Sequence, residues 1–467
     1  MFIGVEINWD GTGRFQYPDG DYPGGGGGHY TPPPATHYVD ENATGTGDGS
    51  IGSPWTVAQM IANAAGGNSI RLNLGTLLAP TTDDRFAAAF MPDANGTAEN
   101  PIVIWAENEA ANTPNTALRT KLTTNATIGS ANGCPVIGGA RNHVIWHGVW
   151  IDEVDAVPTA DTGPVTLNNC VGVKILGCVL DGTTPTHDTW ASAPTENHNG
   201  IRIEGANDCV IADNKITGFK NPGGSHNGAG IMTYTSTGGC DNNLIENNEI
   251  SECGCGIYVK AQAFPATSGN YTIRKNLVHS NQNAGIEFGG HTGAASYVYQ
   301  NITSGNVDGI MLGRDEVDNV KCYNNTSHDE TRTSLYLKTA ISSHSGNEYG
   351  NNLSINPGAS HITGDAGPIT ADIVPDYNFY DLNSSTWYIN STNYGSFSAY
   401  VAGSGVHEGN SINADPVIVG GGDYTPDTGS PLINAALDVL DILGGGTSAA
   451  INMGAVVNSD TIGVRST

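Results

Sequence analysis

The chain contains 467 residues, of which 63 are glycine and 23 are proline, and only 14% are charged. Its polar surface must therefore come mainly from uncharged side chains and glycine, which favour turns and strands. This composition excludes a helical bundle or coiled coil. Eighteen basic side chains stand against 46 acidic ones, for a net charge of −28. That balance argues against nucleic acid or an anionic membrane surface as a partner, because nucleic-acid binding needs clustered lysine and arginine.

Residues 1–34 are predicted to form an arm that ends in a glycine tract and a polyproline stretch, YPGGGGGHYTPPP. Such sequences behave as flexible and semi-rigid linkers, so the segment is either an attachment arm or a disordered tail. Its start resembles no secretory signal, and no apolar run is long enough to span a bilayer. We therefore expect no membrane insertion. A cytosolic protein, a virion part released by lysis and a mature secreted form all stay open.

Residues 35–75 are predicted to form an N-terminal cap made of one short helix and one strand. The helix is expected to open at Ser53 and Pro54, and its apolar residues fall on one face. The glycine pair at 66–67 ends it, and apolar residues then alternate through 70–74 as in a strand. Such a unit can close one end of a larger β-structure.

A repeat dominates the centre of the chain and defines a domain at residues 76–365. A short motif with alternating apolar residues, usually opened by glycine, recurs at intervals of 24 to 30 residues. The copies lie at 200–204, 230–234, 256–260, 285–289, 309–313 and 334–338. Asparagine-rich corners and second short strands lie between them. Strands this short, without helices, cannot form parallel α/β units, but they can wind into a solenoid with one coil per repeat. Residues 366–467 would then be a C-terminal cap of short strands and loops.

The chain resembles the right-handed parallel β-helix proteins of the pectate-lyase-like superfamily over residues 38–435. The resemblance lies in the repeats, the opening HYVDENATGTGDGSIGSPW, the segment GTAENPIVIWAENE and the ending NSINADPVIV. It implies an all-β, right-handed parallel β-helix. The same fold serves lyases, glycosidases, phage tailspikes and adhesins, so it leaves the function open.

Side chains alternate along a strand, so the outward positions of the repeats form two columns. The first column reads Arg202, Met232, Tyr258, Glu287, Met311 and Tyr336. The second reads Glu204, Tyr234, Lys260, Gly289, Gly313 and Lys338, with His291 and Arg314 just beyond it. Neighbouring coils should be about 4.8 Å apart, which makes Lys260 and Glu287 diagonal neighbours. An exposed strip of aromatic and charged groups suits a sugar chain, whereas on ordinary surface such charges simply pair.

Lys260 is the candidate base. The resemblance implies that a lysine or arginine on this strip abstracts the proton beside a uronate carboxylate, while another cation or calcium neutralises that carboxylate. A lysine flanked by other cations more readily acts as a base near neutrality. The predicted catalytic residues are Lys260, Glu287 and Arg314. The predicted substrate-binding residues are Arg202, Glu204, Tyr234, Tyr258, His291, Tyr336 and Lys338.

Other chemistries find weaker support in the sequence. The clustered aspartates of calcium-dependent pectate lyases and the paired-Asp and Gly-His-Gly signatures of polygalacturonases are not found, which argues against both named activities. Glu204 and Glu287 are expected too far apart for glycoside hydrolysis, and Glu287 with Asp315 is the better carboxyl pair. No cofactor is required, although the acidic runs at 315–318 and 152–155 could hold Ca²⁺.

Cysteine and histidine add no site of their own. The eight cysteines lack zinc-site spacing, and buried thiols are favoured over disulfides. The motifs His198-Asn199-Gly200 and His226-Asn227-Gly228 each precede a strand and are interpreted as corner packing.

The sequence thus favours a carbohydrate-active β-helix that binds, and by β-elimination cleaves, an extracellular polysaccharide. Hydrolysis is the less favoured reaction. The alternative is a non-catalytic virion spike, fibre or surface adhesin. Either function places the protein outside the cell or on a virion surface, as a homotrimer or attached to a larger assembly through residues 1–34.

Overall fold

The chain forms two compact units in the computed structural model. The structure describes residues 8–9, 15–16, 30–40, 43–73, 85–87, 91–106, 121–123, 137–152, 163–182, 199–220, 226–235, 239–261, 269–291, 293–313, 317–338, 345–364, 373–382, 386–389, 391–405, 408–420, 423–426 and 430–432. The N-terminal unit contains residues 30–272 and 279–283, and the C-terminal unit contains 273–278 and the residues from 284 onward. Before residue 30, one short antiparallel pair is described, Asn8–Trp9 with Phe15–Gln16.

The N-terminal unit consists of three sheets, A, B and C, which the chain visits in turn once per coil. Sheet A contains His37–Asp40, Ser69–Asn73, Ile102–Ala106, Val144–His147, Lys174–Leu176, Val210–Ala212 and Leu244–Glu246. Sheet B contains Arg85–Ala87, Lys121–Thr123, Trp150–Asp152, Val179–Asp181, Lys215–Thr217 and Glu249–Ser251. Sheet C contains Ile137–Gly139, Val165–Asn168, Ile201–Glu204, Ala229–Thr235 and Cys255–Ala261. Each strand pairs in parallel with the strand one coil away, as in Lys174–Leu176 with Val210–Ala212.

The C-terminal unit repeats the same three-sheet plan. Its sheet A contains Ser296–Tyr299, Val320–Tyr323, Asn347–Gly350 and Ile373–Asp376. Its sheet B contains Ile302–Ser304, Thr326–His328, Leu353–Ile355, Phe379–Tyr380 and Ile412–Asn413. Its sheet C contains Ala284–Phe288, Asp308–Leu312, Thr333–Leu337, Ser360–Gly364 and Thr386–Ile389, and the antiparallel strand Thr392–Tyr394 ends it.

The remaining described elements are short. The strands Thr272–Arg274 and Leu277–His279 lie where the chain passes between the units. Helix Phe397–Gly403 follows sheet C of the C-terminal unit, and Ile418–Gly420 pairs antiparallel with Asp423–Pro426. The parallel strands confirm the predicted all-β parallel β-helix. None of the helices in the described ranges is long and apolar enough to cross a membrane.

The predicted N-terminal helix is present and spans Val57–Asn63. It begins after Thr56 rather than at Ser53, because Thr56 and Gln59 form a reciprocal capping box. The strand Ser69–Asn73 follows, and it joins the same parallel sheet as Ile102–Ala106. Parallel pairing therefore extends to both sides of residue 76. The domain boundaries at 34, 75 and 365 stay predictions.

The interior of each coil is filled by apolar side chains that stack in register. In sheet A of the N-terminal unit, the inward column is formed by Ile70, Ile104, Trp146, Ile175, Ile211 and Ile245, each at most 2% exposed. Branched side chains suit this pleated, enclosed surface. Each coil thus buries its apolar side chains against those of the next coil.

A ladder of buried asparagines marks the corner between sheets A and B in the C-terminal unit. Its members are Asn276, Asn301, Asn325, Asn352 and Asn378, each at most 2% exposed. The backbone N–H of each member donates to Oδ1 of the next, at 2.9–3.1 Å. From the second member on, Nδ2 donates to a backbone carbonyl one coil earlier at 2.9–3.0 Å. Residues before ladder members have φ between 54° and 57°, as at Lys275, Gln300, Asn324, Asn351 and Tyr377.

In the N-terminal unit, a cysteine takes the first position in shorter ladders of the same kind. Cys178 donates its N–H to Asn214, Cys209 donates to Asn243 and Cys253 donates to Asn281, each at 2.9 Å. Each of these thiols also donates to the backbone carbonyl two residues earlier, at 3.2–3.4 Å. All seven cysteines in the described ranges have buried free thiols, as the sequence favoured.

Replacing Asn325 by alanine should strongly destabilise the C-terminal unit. The change leaves the buried N–H of Asn301 and the carbonyl of Val298 without their side-chain partner. Because each buried polar group left unsatisfied costs about 1–3 kcal/mol, we expect a loss of about 3 kcal/mol or more in the free energy of unfolding. The exposed Asn393 provides the matched control, since Asn393→Ala should change stability by less than about 0.5 kcal/mol. Urea unfolding that gives the two variants the same midpoint would contradict the proposed role of the ladder.

The thiols should be unreactive in the folded protein. Burial raises the pKa of Cys178 and of Cys253 to about 12, so neither is a thiolate at neutral pH. We expect iodoacetamide to leave the seven described cysteines unmodified in the native protein and to alkylate them after denaturation, as measured by peptide mass spectrometry. Rapid native labelling of Cys178 or Cys253 would show that the corner opens.

Candidate functional site

Sheet C of the N-terminal unit aligns the two columns that the sequence predicts. The first aligns Thr166, Arg202, Met232 and Tyr258, and the second aligns Asn168, Glu204, Tyr234 and Lys260. Consecutive coils therefore bring Glu204, Tyr234 and Lys260 side by side. The same register places Arg202 next to Met232.

From Arg202 to Tyr258 the first column is buried, contrary to the expectation of an exposed strip. Arg202 is 2% exposed, Met232 is 0% and Tyr258 is 1%. Large side chains on adjacent coils cover one another here, since the Arg202 guanidinium lies 4.5 Å from the centre of the Tyr234 ring and Nη1 lies 3.7 Å from the Met232 sulfur. Tyr234 itself is only 9% exposed. The accessible polar groups are therefore mainly in the second column.

Arg202 and Glu204 form an ion pair within a single strand. Arg202 Nε donates to Glu204 Oε2 at 3.0 Å, and the Glu204 side chain is 23% exposed. Arg202 thus orients Glu204 and Tyr234 from a buried position. Its predicted direct contact with substrate stays a prediction.

Lys260 is half-buried and is held by an amide and two aromatic rings. Its Nζ donates to Asn227 Oδ1 at 3.0 Å and lies 5.6 Å and 5.9 Å from the ring centres of Tyr234 and Tyr258. Ammonium groups are attracted to aromatic faces at such distances. The fully buried Asn199 in turn donates Nδ2 to the Asn227 carbonyl at 2.8 Å. Lys260 is therefore held by its own coil and by the preceding one, whose Asn227 is bonded in turn by Asn199 from the coil before that.

Asn227 is a site residue that the sequence does not single out. It was assigned to corner packing, yet its side chain contacts the candidate base 33 residues away. The repeated His-Asn-Gly motif was the available signal, because it places Asn199 and Asn227 at equivalent positions before two strands of sheet C.

In the C-terminal unit, sheet C aligns Glu287, Met311, Tyr336, Thr363 and Tyr388. Glu287 is 0% exposed, whereas Tyr336 and Tyr388 are half-buried. Arg332 stacks over the Tyr336 ring at 4.5 Å, and its Nε donates to Asp308 Oδ1 at 2.7 Å. Arg332 thus holds the Tyr336 ring in place, and the ring is a candidate surface for sugar stacking. Tyr388 is a second such ring and is not among the substrate-binding residues predicted from the sequence.

The other predicted residues are placed less favourably or lie outside the described residues. His291 is 0% exposed and packs against Phe288, with Nε2 3.1 Å from Ser296 Oγ, so it does not reach the surface as expected. Lys338 is half-buried at the end of its strand. Arg314 lies outside the described residues. The pairing of Lys260 with Glu287 joins residues of the two units and stays a prediction.

The predicted calcium sites cannot be assembled from the described ranges. Asp315 and Glu316 of one acidic run, and Glu153 and Asp155 of the other, lie outside them. Elsewhere in the described residues, no three histidine, cysteine, aspartate or glutamate side chains are grouped so that they could hold a metal ion. Calcium therefore stays a prediction.

Removing Glu204 should destabilise the site through Arg202. In Glu204→Ala, the guanidinium stays buried without its carboxylate, and we expect a loss of about 1–3 kcal/mol in the free energy of unfolding. The double variant Arg202→Met/Glu204→Ala should recover part of that loss, since an apolar side chain of similar length replaces the buried charge. A double-mutant cycle on denaturant midpoints measures the coupling. Wild-type stability of Glu204→Ala would show that the pair contributes nothing.

Comparisons with known proteins agree with this architecture. Residues 159–302 match a family model described as a right handed beta helix region. Among solved structures, pectate lyase Pel9A is similar with a TM-score of 0.50 and 13% identity, over 90% of this chain and 95% of that chain. Polygalacturonase from Erwinia carotovora ssp. carotovora has a TM-score of 0.50 and 12% identity, over 75% and 94%.

The curated protein sequences contain no match to this chain. At identities of 12–13%, the structural similarities concern the fold alone. Together with the parallel sheets, they show that this chain folds as a right-handed parallel β-helix, the fold it shares with these two solved structures.

Proposed function

We propose that this protein is a carbohydrate-active β-helix that binds an extracellular polysaccharide at sheet C and cleaves it by β-elimination. The observation that carries the proposal is the placement of Lys260, whose half-buried amine is held by Asn227 and two tyrosine rings. The similar solved structures of a pectate lyase and a polygalacturonase supply a fold-level analogy for a carbohydrate-active protein, while the preference for elimination rests on Lys260.

Each unit offers its own candidate contacts with substrate. Tyr234 and Tyr258 are too buried to offer a stacking surface, so their role is to hold Lys260. Glu204 is partly exposed and can accept hydrogen bonds from sugar hydroxyls. In the C-terminal unit, the half-buried Tyr336 and Tyr388 provide ring surface against which sugars can pack.

The chemistry requires one well-placed base. In its neutral form, Lys260 would take the proton from the ring carbon beside the uronate carboxylate and become the ammonium that the two tyrosine rings attract. The bond to the glycosidic oxygen would break, and that oxygen would leave with a proton from solvent. The product carries a carbon–carbon double bond conjugated to the carboxylate. Asn227 Oδ1 can accept a hydrogen bond from the lysine before and after proton transfer, because both the amine and the ammonium are donors. The base therefore keeps its orientation through the step.

Substituting Lys260 tests the proposal directly. Against a panel of uronate polymers, the wild type should generate the ultraviolet absorbance of the unsaturated product. Lys260→Ala should lower kcat at least about 100-fold, the usual contribution of a general base. The control Lys174→Ala removes a half-buried lysine from sheet A of the same unit and should leave turnover unchanged. Equal turnover in both variants would rule out Lys260 as the base.

Other outcomes of the same screen identify other functions. New reducing ends without the absorbance would indicate hydrolysis. Loss of absorbance with chelator and its recovery with added Ca²⁺ would support a calcium-assisted reaction. Binding on a glycan array without turnover, together with a trimeric mass in light scattering, would favour a non-catalytic spike, fibre or adhesin.

A further inference from the structure

The last coils of the C-terminal unit are closed by an aromatic cluster around helix Phe397–Gly403. The Tyr400 ring of that helix stacks on Trp387 of sheet C, with ring centres 5.8 Å apart and an interplanar angle of 15°. Tyr380 of sheet B meets the same tryptophan edge-on at 5.7 Å. The helix is therefore packed against two sheets of its unit.

The carboxyl of Glu408 lies inside this cluster and is 1% exposed. Its Oε1 accepts a hydrogen bond from the Tyr380 hydroxyl at 2.6 Å and a longer one from the Tyr400 hydroxyl at 3.3 Å. Its Oε2 contacts the Ser411 hydroxyl, just before the last strand of sheet B. One carboxyl thus joins a strand of sheet B, the closing helix and the turn into the final strand.

The surroundings of Glu408 do not favour a negative charge. The titratable groups that face it are Tyr349, Tyr380, Tyr400 and Asp376, none of which is a cation. Burial outweighs the hydrogen bonds and raises the pKa of Glu408 to about 7. His361 packs on Tyr380 with ring centres 5.3 Å apart, and burial lowers its pKa to about 3, so it carries no positive charge near pH 7.

We propose that Glu408 is a proton-dependent latch, which holds helix Phe397–Gly403 on the last coils while its carboxyl is protonated and lets this end open locally once the proton is lost. The helix and the turn at Ser411 are both bonded to this carboxyl. Their backbone amides should therefore lose protection against hydrogen exchange together. The asparagines of the ladder do not titrate, and the one that contacts Glu408 is the last, Asn378. Loss of the Glu408 proton should therefore leave the protection of the earlier coils unchanged.

The direction of the pH dependence follows from proton linkage. In the closed state the carboxyl keeps its proton up to about pH 7, whereas in the open, hydrated state it should titrate near its ordinary value of 4.5. The closed state therefore binds more protons between these two values, and opening should be favoured up to about tenfold per pH unit in that window. Above pH 7 the dependence should level off.

Hydrogen exchange on the full chain tests the latch. Peptides covering Phe397–Gly403 and Ile412–Asn413 are followed by mass spectrometry between about pH 5 and pH 8, with correction for intrinsic exchange. In the wild type, the hydrogen-exchange protection of these peptides should fall by up to about tenfold per pH unit until about pH 7 and then stay constant. Glu408→Gln, which keeps the shape without the charge, should show protection that does not depend on pH.

Glu330→Gln is the matched control. Glu330 is also 1% exposed with a pKa raised to about 7 by burial, but it contacts Ser327 and Asn306 rather than the closing helix. This variant should keep the wild-type pH dependence in the helix peptide. The proposal would be overturned if protection of the helix peptide changed with pH as steeply in Glu408→Gln as in the wild type. So would a flat profile in the wild type, which decides the question even if the variants do not fold.

Discussion

The hydrogen bond from a backbone N–H to the asparagine Oδ1 one coil further on is the interaction on which the corners of this molecule depend. A parallel β-helix must turn three times per coil, and at each turn some backbone N–H and C=O groups lose their strand partners. Because a buried polar group without a partner is costly, the corner between sheets A and B needs a side chain that both donates and accepts. Asparagine at 301, 325 and 352 does both.

The corners fix the register of the strands, and the register creates the candidate site. Lys260 aligns with Tyr234 and Glu204 because Cys255–Ala261, Ala229–Thr235 and Ile201–Glu204 pair without a shift in that region. A slip of one residue would turn every outward side chain inward. The latch at Glu408 is a different solution to the same requirement, since it closes the last coils with an acid instead of an amide.

The period, the columns of sheet C and the N-terminal helix could all be predicted, because they depend on local alternation and spacing. The start of the helix was misplaced by three residues, although the Thr56–Gln59 capping box was readable in the sequence. The burial of Arg202 and Tyr258 could not be predicted, because side chains on neighbouring coils cover them, and the alternation along a single strand does not show those neighbours. Asn227 was missed because its contact with Lys260 depends on the number of residues in the coil between them, which no local motif shows. Tyr388 was missed because it lies beyond residue 338, where the recognisable copies of the repeat end, and beyond the predicted boundary at residue 365.

Adjacent asparagines lie at several corners, as at 247–248, 324–325 and 351–352. Their positions decide what deamidation would do to the protein. Hydrolysis of a side-chain amide converts asparagine to aspartate. The backbone at position 247 tolerates aspartate, because Asp213 occupies the equivalent place one coil earlier with φ of 61°. The conversion would nevertheless replace the hydrogen bond that Asn247 Nδ2 donates to Asp213 Oδ1 by two facing carboxylates. Within the ladder, the same conversion would put a buried charge against the carbonyl that the amide had bonded. Asn324 is 4% exposed and Asn325 is 2% exposed, so a single deamidation at either asparagine of this corner would create a buried charge.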